Sequence, residues 1–406
     1  MNISYPAILI IVFVFSGLIK WIPLPADVTL LSLIALILIF FSRLRFFHFR
    51  ERLFSKDTLL CYLLFLLYFV VYCISILYSS SSGFWIEKTQ GMFLSVIALS
   101  LPMIFLKELK DFIWLENTLL VFMVLASFIL MGLYLTGFLD YFIYQGVGSG
   151  NDNSESLIPD YLVVGTLLSI GILICIQRGG IYYLLGSLSL LCILLIGSRG
   201  PLLFVIICSL FLYLFSRYSV DLDKRRMKLS SQLIRFTSTS LILIVSLYLG
   251  FSLGGDDSTF VRIALMFTDP EELAQTFRVE EFTIATEVIR ENPLFGVGLG
   301  AYGVEAYGAD YNVYPHNLLL ESASELGLPS IILFLSGFLF LFYRCSYLLW
   351  DKSICLFLAI LIFELMNFMK SGGFVSSREL YLFAGILLAR IDFINYQNKL
   401  SNYENN

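Results

Sequence analysis

The chain has 406 residues, of which 58% are hydrophobic and only 14% charged, with a mean hydropathy of +0.85. That balance excludes an ordinary soluble globular domain, gives no nucleic-acid-binding signature and points to an integral membrane protein. The net charge of −5 selects no partner, because in a membrane protein the side on which each charge lies carries the information.

Apolar runs recur from end to end, and a helix needs about 20 residues to cross a hydrocarbon core. Unbroken runs exclude the alternating pattern of a barrel, so the expected fold is an all-α polytopic membrane protein. Twelve spans are expected, near residues 7–19, 28–41, 58–78, 91–106, 112–135, 161–176, 181–196, 202–215, 233–253, 330–343, 353–369 and 380–391. The first apolar run has no basic flank before it, so no cleavable signal is expected. The seven cysteines lie in or beside apolar runs with no Cys-x-x-Cys spacing, and read as small core residues.

Of the 26 lysines and arginines, 18 fall on one set of alternate loops and 8 on the other. By the positive-inside rule the richer set is cytoplasmic, both termini are cytoplasmic, and the longest polar interval, residues 254–325, faces outward. A loop of that size has work beyond connecting helices, so the whole chain reads as one polytopic membrane domain, 1–406, with the site on the 254–325 loop. A second outward segment, Gly137 to Asp160, has no Lys or Arg and reads as a flexible surface loop. Within the main loop Asp269-Pro270-Glu271-Glu272 has the form of a helix start. Phe282, Ala285 and Ile289 then recur at helical spacing up to Asn292-Pro293, which places Arg278 and Arg290 on a short amphipathic helix at the membrane surface.

Five arginines lie on the side where that rule disfavours them: Arg199, Arg262, Arg278, Arg290 and Arg378. Arg199 occupies a tight Gly197-Ser-Arg-Gly-Pro201 turn between two apolar runs, and near the bilayer centre an arginine costs about 2.5–3.5 kcal/mol on insertion scales. Alone it could simply snorkel to the head groups. Clustered outward arginines suit an anionic group, since guanidinium forks bind phosphate oxygens in a bidentate way, and a lipid diphosphate is the natural such group at a membrane surface. His316, between Pro315 and Asn317, is an imidazole able to accept a proton near neutral pH, although a loop histidine is more often structural. His48, in the basic run from Arg43 to Arg52, takes that structural reading. Glu364 is an acid well inside a late span and is expected to pair with an arginine of the site. Gly298-Leu-Gly-Ala-Tyr-Gly303 matches a dinucleotide pattern, yet it follows no strand and faces outward, so no nucleotide is expected there. Asp221-Leu-Asp223 lies in a cytoplasmic charge run and reads as solvated. No metal site and no cofactor are expected.

Three pieces together resemble the O-antigen ligase and O-antigen polymerase superfamily of bacterial polytopic membrane glycosyltransferases. They are Gly197-Ser-Arg-Gly-Pro201, Arg278 followed by Asn292-Pro-Leu-Phe-Gly-Val-Gly-Leu-Gly300, and Tyr314-Pro-His-Asn-Leu318 with Glu321 and Glu325-Leu-Gly-Leu328. The resemblance covers roughly the second half of the chain. It implies a GT-C-like fold in the bacterial inner membrane, with Arg199 and Arg278 binding an undecaprenyl diphosphate and His316 acting in catalysis. The family often carries an aromatic a few residues after the loop arginine, and Phe282 stands close to that place without matching it, so Arg290 remains the alternative to Arg278. Asn317, Glu321 and Glu364 are the expected supporting residues.

The implied partners are an undecaprenyl-diphosphate-linked oligosaccharide, an acceptor glycan, membrane lipid and a chain-length regulator. A polymerase passes the glycan to another lipid-linked repeat unit, and a ligase passes it to lipid A-core; the residues do not identify the acceptor, and polymerase is preferred on the diversity of such proteins. A lipid-linked glycan flippase would share the arginines, but no internal repeat symmetry is visible. The charge distribution makes a direct prediction: reporter fusions at Lys224–Lys228 should report cytoplasm and fusions between residues 254 and 316 the outer face. The reverse result would invert the topology.

Overall fold

The computed structural model describes residues 3–18, 27–44, 54–138, 161–196, 198–215, 277–310, 313–373 and 377–404. Among the described residues every regular element is helical. In chain order these are α1 (Tyr5–Val14), α2 (Val28–Leu44), α3 (Lys56–Ser75), α4 (Phe84–Phe105), α5 (Leu109–Leu135), α6 (Tyr161–Arg178), α7 (Tyr182–Leu195) and α8 (Arg199–Phe215). There follow α9 (Phe277–Glu291), α10 (Tyr302–Tyr307), α11 (Leu318–Leu326), α12 (Leu328–Ser346), α13 (Lys352–Ser371) and α14 (Arg378–Glu404). Short 3-10 turns extend α1 through Leu18 and α3 through Tyr78.

Each expected span coincides with a helix except 233–253, which lies outside the described residues, as do the expected helix start at Asp269 and most of the Gly137 to Asp160 loop. Among the described residues five helical segments are long and apolar enough to cross a membrane: Lys56–Tyr78, Phe84–Phe105, Leu109–Leu135, Leu328–Ser346 and Lys352–Ser371. The protein is therefore an α-helical, multi-pass membrane protein, with five crossings supported by length and composition where twelve were expected. One boundary moves materially. The fourth span was expected from residue 91, with Lys88 counted among the outward loop charges; the helix instead starts at Phe84 and carries Lys88 into the interior, where its charge is matched. Six cysteines are buried as expected, whereas Cys73 is exposed.

The described residues fall into two compact units. The first holds α1, α2, α5 to α8 and the leading part of α13; the second holds α3, α4, α9 to α12, the trailing part of α13 and α14. In the first unit α6 packs against α5, α7 and α8, and α1 against α2 and α5. Here Glu108 and Asp111 form a reciprocal capping box at the start of α5, and Ser4 donates to Asp111 Oδ1 at 2.7 Å.

In the second unit α3 and α12 run antiparallel. Arg344, near the end of α12, pairs with Asp57 at the start of α3 at 2.9 Å, Cys61 Sγ meets the Gly337 carbonyl at 3.5 Å, and the Phe65 and Phe338 rings cross edge-on at 4.9 Å. α14 lies along α4, fastened where the Ser95 and Ser377 hydroxyls meet at 3.0 Å, and it also reaches the head of α3, where the Asp392 carboxylate accepts from Ser55 N–H at 2.8 Å. The two helices approach closely enough that a Cβ at Gly385 would stand 2.2 Å from the Leu99 carbonyl oxygen. Because the obstruction is helix backbone, Gly385→Leu should force α14 off α4 and cost at least the ~1–3 kcal/mol typical of overpacking. A lowered melting temperature of the detergent-purified variant is the expected result.

Candidate active site

Lys88, in the second turn of α4, is fully buried and sits between two carboxylates one helical turn apart on α11. Its Nζ donates to Glu321 Oε1 at 2.6 Å and to Glu325 Oε1 at 2.5 Å, and all three side chains are inaccessible to solvent. The i, i+4 spacing of Glu321 and Glu325 puts both acids on one face of α11, so a single ammonium bridges them. Phe84 supplies an aromatic face 5.1 Å from the ammonium, and Tyr72 donates its hydroxyl to the Lys88 carbonyl at 3.1 Å. Breaking such a buried pair by removing one partner costs far more than an exposed bridge is worth, because it strands the other charge.

This cluster organises the glycine-rich stretch. Glu325 Oε2 accepts from Gly300 N–H at 3.0 Å, while Gly298 N–H and Val297 N–H donate to the carbonyls of Glu325 and Ser324, each at 2.9 Å. From the other side Ser79 Oγ donates to the Leu299 carbonyl and Tyr78 OH to the Phe295 carbonyl, both at 2.6 Å. Gly298, at φ +92°, has no room for a side chain: a Cβ would lie 2.4 Å from Ser79 Cα. These glycines let the backbone press between α11 and the α3–α4 connection.

The Tyr314-Pro-His-Asn turn enters α11. Asn317 is its N-cap, with Oδ1 accepting from Leu319 N–H at 3.0 Å and Leu320 N–H at 3.1 Å, while Nδ2 donates to the Met369 carbonyl on α13 at 2.7 Å. His316, just before it, has φ +49°, the single positive φ at a non-glycine among the described residues. A left-handed backbone costs an ordinary residue about 1–2 kcal/mol, and non-glycine instances concentrate where function demands them. The half-buried imidazole stands 4.5 Å from the Tyr314 ring, centre to centre. A Cβ at Gly373 would come 3.1 Å from that Tyr314 ring and 3.2 Å from Glu321 Oε2. Tyr314, Glu321 and the outgoing end of α13 thus converge beside His316.

Upstream of the turn, Asp310 is latched to the start of α4. Its carboxylate accepts from the Ser82 amide and hydroxyl, each at 2.6 Å, from the Ser81 hydroxyl at 2.7 Å and from Gly83 N–H at 2.8 Å. The Ser82 hydroxyl bond, aided by the others, holds this acid down to about 2. Its contribution is complete above the ordinary carboxylate range and fades only as pH falls through about 2, so the latch is closed at neutral pH.

α9 carries the loop arginines. Its inner face is Glu281, Ala285 and Val288, one position round from the expected Phe282, Ala285 and Ile289, and Phe282 itself is exposed. The helix turns this way because buried Glu281 has two phenol donors at the two ends of α10: Tyr302 OH at 2.9 Å and Tyr307 OH at 2.7 Å. Burial first, and the Glu281 carboxylate second, push the Tyr302 hydroxyl well above the usual phenol range, so it stays a donor at any working pH.

The second unit brings His316, Asn317 and Glu321 together, with Arg278 in the first turn of α9 and Arg290 exposed in its last. Arg199 begins α8 in the first unit. Glu364 is buried, its carboxylate oxygens accept no hydrogen bond among the described residues, and Glu379 is the charged neighbour that acts on it there. Lys88, Glu325 and Glu281 were not singled out from the sequence, though Glu321 and Glu325 at helical spacing were a readable signal for a shared cation. Lys88→Met should leave two buried carboxylates uncompensated and destabilise the protein by about 3–5 kcal/mol. The triple variant Lys88→Met, Glu321→Gln, Glu325→Gln should recover much of that loss, measured by thermal unfolding in detergent.

One comparison with known protein families gives a match over this region. The family model described as O-antigen ligase matches residues 184–335, which takes in α8, α9, the glycine-rich stretch, His316 and the Glu321/Glu325 pair. A search of curated proteins gives no match. Residues 184–335 are thus similar to the O-antigen ligase family, which supports placing the protein with the O-antigen ligase and polymerase superfamily of glycosyl-transferring membrane enzymes.

Proposed function

We propose that the protein is a polysaccharide polymerase of the bacterial inner membrane, with both termini cytoplasmic, acting at the periplasmic face on an undecaprenyl-diphosphate-linked glycan. The observation that carries this reading is His316, held in a left-handed conformation between Tyr314 and the N-cap Asn317 at the buried Lys88–Glu321–Glu325 cluster. A histidine kept there against its backbone preference is suited to proton transfer.

In the proposed reaction an acceptor sugar hydroxyl attacks the anomeric carbon of the donor glycan. A C–O bond forms as the bond from that carbon to the diphosphate oxygen breaks, the lipid diphosphate leaves with the electron pair, and the hydroxyl proton passes to His316. Negative charge grows on the leaving diphosphate, so fixed guanidiniums stabilise the transition state more than the ground state. Arg199 and Arg278 are assigned that role, with Arg290 as the alternative to Arg278. Asn317 and Glu321 position the histidine turn. A chain-length regulator would act on this enzyme from outside the site. The description of the matching family favours a second reading, ligation of the finished glycan to lipid A-core.

His316→Gln, purified in nanodiscs and supplied with lipid-linked oligosaccharide, should keep its melting temperature and lose turnover by about 10²–10⁴-fold. Full turnover would remove His316 from the chemistry. The lipopolysaccharide ladder of a deletion strain separates the two acceptors: core bearing a single repeat unit indicates a lost polymerase, and bare core with accumulated lipid-linked polymer a lost ligase.

A further inference from the structure

The Asn292–Gly296 loop displays two large apolar side chains, Leu294 and Phe295, at 64% and 71% exposure. Two such neighbours on a loop that otherwise packs through its backbone need a covering medium. The loop is not loosely held. Leu328 N–H donates to the Pro293 carbonyl at 2.9 Å, Tyr78 OH donates to the Phe295 carbonyl at 2.6 Å, and a Cβ at Gly327 would stand 2.2 Å from the Leu294 carbonyl oxygen. These bonds fasten it to the last residue of the α3 extension and to the first residue of α12, which meet at one end because α3 and α12 are antiparallel.

Both helices belong to span-length apolar segments, and each shows an exposed apolar stripe at helical spacing that runs to this end. On α3 and its extension the stripe closes with Val70, Ile74 and Leu77; on α12 it opens with Leu328, Ile332 and Leu335. In a spanning helix such a stripe faces acyl chains. Leu294 and Phe295 extend the two stripes past the helix ends. On the other side the chain turns polar at once: Arg290 and Glu291 are exposed, three to four residues before Leu294.

We propose that Leu294 and Phe295 form a membrane anchor, seated among the acyl chains of the leaflet that surrounds this end of α3 and α12, with Arg290 and Glu291 at the head-group level. The anchor fixes the height of the glycine-rich stretch, and hence of α11 and His316, relative to the head groups.

The test uses the full chain in nanodiscs made with phospholipid brominated near the carbonyl end of its acyl chains. The tryptophan fluorescence added by Phe295→Trp, taken as the difference from wild type, should be quenched by brominated lipid to the extent seen for Leu77→Trp and should resist aqueous iodide. Glu287→Trp, on the exposed face of α9, should show the opposite pattern. Leu294→Trp serves as the second probe if Phe295→Trp does not insert. Quenching by iodide without quenching by brominated lipid would overturn the proposal, and so would protection from both, which would mean that protein covers the pair. None of these readouts depends on turnover, so the anchor stands or falls separately from the assignment of His316.

Discussion

One ammonium shared between two carboxylates inside the protein is the interaction on which the second unit depends. Lys88 ties the second turn of α4 to α11, and Glu325 passes the connection on through Gly300 N–H to the glycine-rich stretch. Three segments far apart in sequence are thereby held to one register. Desolvating three ionised groups is expensive, and a well-packed apolar cluster could be as stable or more so. An ion pair, however, specifies which surfaces meet, which grease does not.

The histidine turn is built on that base. α11 is the helix whose acids grip Lys88 and whose first residues are capped by Asn317, so the strained backbone of His316 is attached to a rigid support on its C-terminal side. Asn317 also reaches the Met369 carbonyl near the end of α13. On the N-terminal side the chain is secured at Asp310, before the turn begins. Strain of this kind persists only where the surroundings over-determine it, and here both flanks do. α9 is handled similarly, with Glu281 orienting the helix that bears Arg278 and Arg290.

What the sequence made legible was what depends on local pattern. Apolar runs located the helices, proline at 293 marked the end of α9, and the Tyr314-Pro-His-Asn-Leu318 motif drew attention to the turn that carries the strained residue. Long-range polar pairings were not legible. Lys88 lies more than 230 residues from its acids, and in a list of charges by side it looked like one more outward lysine. The inner face of α9 lies one position round from the one that apolar periodicity predicts, because periodicity cannot foresee that a glutamate will be fully buried on a polar helix. Glu364 is legible as an acid within a span, but its proximity to a second acid, Glu379, depends on how two late helices pack and not on local pattern. The glycines of Gly296-Val-Gly-Leu-Gly300 serve close backbone packing.

The Asp310 latch has a consequence for selectivity. Two serines and a glycine amide at the head of α4 make a concave set of donors with the bite of an oxyanion, the kind of feature that captures phosphate in other proteins. In this chain it is already filled by an internal carboxylate. Any other anion reaching this end of α4 therefore meets donors that are already taken and a negative charge at their rim.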